Sequence, residues 1–125
     1  MVAPKIKMKA ILHKEFGGPE VLGVTNDVEI PQIEKHEVLI QVHAAGINRP
    51  DILQRSGGYP PPPGASEILG LEVSGEIVDV GEDVNKNLLN TKVCALVPGG
   101  GYAEFVKCHT SVSYTHLTLP TIYSV

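Results

Sequence analysis

Apolar residues in this chain recur at every second position over short segments, and glycine or proline closes most of those segments. That period of two is the mark of strands with one buried face. The 13 glycines and 10 prolines among 125 residues then supply the turns that join many short strands. Residues 5–13 (KIKMKAILH) set Ile6, Met8, Ala10 and Leu12 on one side, and 37–45 (EVLIQVHAA) do the same with Val38, Ile40, Val42 and Ala44. Residues 22–30, 71–80, 92–97 and 102–107 read as four further strands. GGPEVL at 17–22 reads as a Gly-Pro turn. GGYPPPPG at 57–64 can be neither helix nor interior strand, because proline removes backbone donors. One place suits a helix: Asn48 can cap free amides and Pro50 is tolerated in a first turn, which predicts a short helix through Gln54. The expectation is a mainly β, partly open barrel with one or two short helices.

Length and composition narrow the function. A chain of 125 residues fits one domain. Apolar residues at 42% suffice for a core, and a net charge of −4 without a basic stripe argues against nucleic acid as a partner. No apolar run approaches the roughly 20 residues of a membrane span, and residues 1–10 lack a secretory apolar block, so a cytoplasmic protein without membrane partners is expected. Cys94 and Cys108 have no CxxC spacing and read as reduced thiols packed in the core. His13, His36, His43, His109 and His116 show no metal-binding spacing. No strand followed by GxGxxG occurs, so a phosphate cradle is not encoded here.

Residues 46–59 (GINRPDILQRSGGY), 64–75 (GASEILGLEVSG) and 99–105 (GGGYAEF) resemble the N-terminal domain of the medium-chain dehydrogenase/reductases, and most resemble their zinc-free quinone oxidoreductases. The resemblance, running from about Met8 to about Thr110, implies a GroES-like barrel that normally packs on a Rossmann domain absent from this sequence. It implies a longer parent, a homodimer or homotetramer, that uses NADPH to reduce a quinone or another small electrophile, while this portion alone is inactive. Zinc-dependent relatives have cysteine where this chain has Asn48 and a His-Glu pair where it has Leu71-Glu72, so no zinc is expected. Tyr59 and Asn48 are the implied catalytic hydrogen-bond donors, and Asn48 and Asp51 the implied cofactor contacts. Tyr59 could instead simply pack on Pro60 and Pro61, Asn48 could serve only as a cap, and Asp51 could serve the helix alone. Glu72 is open between a buried and an edge position, Arg49 and Arg55 are expected at a solvated face, and Gly46, Gly70, Gly75 and Gly81 at turns and close approaches. Two rivals are an enoyl or alkenal reductase of the same superfamily and a non-catalytic GroES-like binding or co-chaperonin module.

The last segment reads differently. Residues 112–121 (VSYTHLTLPT) resemble a transposon-type sequencing adapter translated in frame, which divides the chain into a domain at 1–111 and a non-native tail at 112–125. The alternative is a genuine C-terminal strand, since threonine, tyrosine and leucine suit one. Tyr114, His116 and Tyr123 are assigned no function.

Overall fold

The computed structural model describes residues 6–115. Seven strands carry the fold: β1 (Lys7–His13), β2 (Leu22–Glu29), β3 (Glu37–Ala45), β4 (Glu72–Val80), β5 (Lys92–Leu96), β6 (Phe105–His109) and β7 (Ser113–Thr115). A single α-helix among the described residues, α1 (Arg49–Ser56), follows β3, and three one-turn 3₁₀ segments sit in the connections. β1 and β2 form an antiparallel ribbon, and the other strands form a sheet in the order β6-β3-β4-β5-β7. The two are joined where Ala10 bridges Ala103 and Ile11 N–H donates to Tyr102 O. The architecture is mainly β and not closed, as the alternation predicts.

Alternation sets the core. Val38 and Ile40 of β3, Ile77 of β4 and Val93 of β5 are fully buried and pack in one cluster with Val73, Ala95, Val106 and Cys108. A second cluster of Met8, Ala10 and Ile68 sits under the ribbon. Register shifts on both sides of Val42 bend β3 across β4, which lets the sheet curl around the first cluster. Gly75 makes that crossing possible, because a Cβ there would run into the Gln41 carbonyl.

Three expectations need correction. Cys94 is exposed, not core: its neighbours Val93 and Ala95 face inward, and a strand cannot turn three consecutive side chains the same way. Cys108 is buried as expected. The strand expected at 102–107 runs from Phe105 to His109 instead, because Tyr102 N–H is drawn to Leu69 O and Gly101 N–H to Gly70 O before pairing with β3 begins. Arg55 is half-buried and not at a solvated face, since its Nε donates to Gly17 O. In the segment read as a foreign tail, Ser113–Thr115 pair with β5 at Val93–Ala95, and residues 116–125, including His116 and Tyr123, lie outside the described residues.

Candidate functional site

The N-terminus of α1 is where long-range contacts concentrate. Asn48 occupies the N-cap position, and Asp51, in the first turn, accepts its backbone N–H through Oδ2 at 2.9 Å. The same carboxyl takes the Tyr102 hydroxyl at 2.7 Å and, through Oδ1, the Gly70 N–H at 3.3 Å. Asp51 is only 2% exposed, so these three donors replace the water it has lost. Burial first, then the bond to Asp51 and its negative charge, push the Tyr102 hydroxyl well above the usual phenol range, so that it stays a donor. Gly70 is held at φ +108°, and a Cβ on it would stand 2.7 Å from the Gly101 Cα. Asp51 therefore ties together the helix, the 68–71 loop and the glycine run ahead of β6.

Outside this buried knot lies an exposed pair. The Asn48 side-chain amide donates to Glu72 Oε1 at 3.1 Å, and Glu72 sits exposed at the first residue of β4. The two places at which zinc-dependent relatives carry ligands are thus adjacent in space. Here they hold an amide, a carboxylate and, at 71, an aliphatic side chain.

Tyr59 lies elsewhere. Asn48 precedes α1 and Tyr59 follows its Gly57 C-cap, so a helix of eight residues, about 12 Å long, separates them. Tyr59 lines a cleft of about 410 Å³ walled by His13, Phe16, Gln54, Gly57, Pro60–Pro62, Gly64, Ala65 and Glu67. Its side chain is half exposed, and its hydroxyl takes no hydrogen bond within the described residues. Gln54 is buried and anchors one wall through Nε2 to the Glu67 carbonyl at 3.3 Å. The structure therefore unites Asn48 with Asp51 and Glu72, and sets Tyr59 apart in its own cleft.

A larger cavity, about 530 Å³, lies under Pro98–Gly100 beside Cys108 and His109 and contains none of the nominated residues. Cys108 there has its thiol pushed up to about 11 by burial and then by the charge of Glu37, which makes it a poor nucleophile at neutral pH. His36 and His109 approach with ring centroids 6.0 Å apart, although no spacing in sequence announces it. Among the described residues no group of three or more His, Cys, Asp or Glu side chains could hold a metal ion, and no helix is long and apolar enough to cross a membrane.

Sequence reasoning missed the Tyr102–Asp51 bond, the clip between Arg55 and Gly17, and Phe16. A signal for the first existed: an acid in a helix's first turn and a tyrosine directly after GGG are both groups that need partners once buried.

The alcohol dehydrogenase GroES-like domain family matches residues 34–118. The quinone oxidoreductase of Rattus norvegicus is 41% identical over 108 residues, covering 86% of this chain and 33% of the relative. The quinone oxidoreductase of Pseudomonas syringae pv. Tomato DC3000 superposes with a TM-score of 0.79 at 28% identity, covering 91% of this chain and 35% of that one. A mycobacterial protein in complex with NADPH superposes with a TM-score of 0.75 at 32% identity, covering 91% and 34%. The chain spans about a third of the length of the curated relatives it matches. The mainly β, open architecture is thus the expected GroES-like fold.

Proposed function

We propose, from the premise that this chain belongs to the alcohol dehydrogenase GroES-like domain family, that it is the substrate-side portion of an NADPH-dependent quinone oxidoreductase that works without zinc. The observation that carries the reading is the identity to quinone oxidoreductases across most of the chain. The donor chemistry supports the rest. A catalytic zinc needs three thiolate, imidazole or carboxylate ligands, and Asn48, Leu71 and Glu72 supply one. In its place stands a cleft whose one unbonded phenol, Tyr59, can donate to an oxygen that gains charge.

The described residues do not fit the phosphate end of NADPH. The N-terminus of α1 already spends its Asn48 N–H on Asp51, whose negative charge in the first turn disfavours a second anion. The phosphates would be held by chain outside this sequence, leaving Asn48 as the candidate contact for the nicotinamide end. Asp51, with both oxygens bonded, acts by fixing Asn48 and not by touching cofactor. When bound, NADPH would supply the hydride. Tyr59 would steady the quinone oxygen that turns anionic, and the apolar cleft walls would orient the ring and exclude water.

The test is a longer protein carrying the native downstream coding sequence. It should oxidise NADPH with a quinone, and Tyr59→Phe should lower turnover more than it weakens NADPH binding. Unchanged turnover in Tyr59→Phe removes the phenol from the mechanism. Turnover with enones but not quinones replaces the reading by an enoyl or alkenal reductase. NADPH-dependent activity from the 125-residue chain alone contradicts the assignment of the nucleotide site to another segment.

A further inference from the structure

Phe16 is 66% exposed, yet it is held in place. Its neighbour Gly17 donates N–H to Arg55 O at 3.0 Å and accepts Arg55 Nε at 3.1 Å, so the loop before β2 is clipped twice to the end of α1. The Phe16 ring lies against Gly57, with Cγ and Cδ2 3.1 Å from where a Cβ would stand. Gly57 is also held at φ +97°, so this position demands glycine both for its backbone and for the ring beside it. His13 flanks the ring at 6.2 Å between centroids. A large apolar ring fixed at the lip of a cleft, and left in water, is surface that gains by being covered.

The cleft itself says what covers it. Tyr59 and the stiff prolines 60 and 61 form the wall facing solvent-exposed Phe16, and glycines at 57 and 64 leave room between. At about 410 Å³ it falls within the roughly 300–1,000 Å³ range of small-molecule sites. Its lining carries one carboxylate, Glu67, and no lysine or arginine, which disfavours an anionic guest. We infer that the cleft between Phe16 and Tyr59 is a slot for a flat, uncharged molecule of two fused rings, with Phe16 as the side chain that stacks on it and sets its size. This deepens the proposed function and rests on it only in naming that molecule a quinone.

The probe is 2,3-dimethyl-1,4-naphthoquinone, whose methylated ring carbons resist addition by the exposed Cys94 thiol, with 2-naphthol as a flat two-ring control that takes no hydride. Each is titrated into the ¹⁵N-labelled 125-residue chain. Both should shift the amides of Gly57, Gly58, Gly64 and Ala65. Phe16→Ala should weaken both roughly two- to tenfold, the worth of one aromatic contact, and Phe16→Tyr should restore them. Because Phe16 is exposed, its replacement leaves the core intact, which the dispersion of the same spectra checks. Equal affinity in Phe16→Ala, shifts confined to the cavity under Pro98–Gly100, or no binding of either probe overturns the slot. Naphthol seated in the cleft while the quinone is refused upholds the slot and counts against the quinone reading instead.

Discussion

Tyr102→Phe removes one hydroxyl and nothing else, which makes it a clean probe of the knot at the start of α1. Asp51 then keeps the Asn48 N–H on Oδ2 and the Gly70 N–H on Oδ1, but loses its shortest partner, at 2.7 Å, with no route for water to replace it. A hydrogen bond to a charged group contributes about 1.5–3 kcal/mol, and the volume lost is too small to add a cavity cost. We expect a loss near 2 kcal/mol, or roughly 6–12 °C in Tm for a domain of this size. The chain has no tryptophan, so urea unfolding followed by far-UV circular dichroism is the suitable assay. A double-mutant cycle with Asp51→Asn should return a coupling of about 1–2 kcal/mol, because the two side chains meet directly. Tyr59→Phe is the internal control: its hydroxyl bonds to nothing described, and its loss should change stability by less than about 0.5 kcal/mol. A Tyr102→Phe variant as stable as the parent, or a cycle with additive losses, would refute the knot as the device that fixes Asn48.

Gly75→Ala should cost more than about 3 kcal/mol or prevent folding, since its methyl meets the Gln41 backbone and neither strand can yield; soluble yield and urea midpoint report it. A thiol reagent should modify Cys94 in the native protein and Cys108 only on unfolding, a difference read by mass spectrometry after peptide digestion. Alkali should destabilise the fold in a defined window. Cys108 and Tyr102 both hold their protons more tightly folded than unfolded, from ordinary values of 9.0 and 10.0, so the stability they carry is complete below pH 9 and falls as pH rises past it. Cys108→Ala should flatten the decline between pH 9 and about 11, roughly 3 kcal/mol at most, while Cys94→Ala leaves it unchanged.

What could be read without the structure was what neighbours in sequence decide. Residues 37–45 alternate cleanly and form β3 with the same bounds, because each choice of face is made by the next residue along. The αL stop of α1 at Gly57 and the proline loop after it follow from backbone sterics alone. Even the error at Cys94 was avoidable on those terms, for the strand period already set it opposite to Val93; free cysteine's general liking for burial was allowed to outweigh the local rule.

The site was legible only as a set of names, since the contacts that give those names roles join residues far apart in the chain. Asn48 meets Glu72 across 24 positions, Asp51 meets Tyr102 across 51, and Arg55 meets Gly17 across 38. Each of these depends on how β3, β4 and the glycine run are brought together, and glycines 70 and 101 settle that by letting two backbones touch. The result reorders the nominated residues. Asp51 moves from cofactor contact to the buried post on which Asn48 is mounted, and Tyr59, separated from both by the length of α1, faces Phe16, a residue to which the alternating pattern assigned no role. A perturbation at Tyr102 should therefore reach Asn48 and leave the Phe16 slot unaltered, so naphthol affinity in Tyr102→Phe should equal that of the parent wherever the variant is folded. Weakened naphthol binding in that variant would mean that the two ends of α1 act as one site.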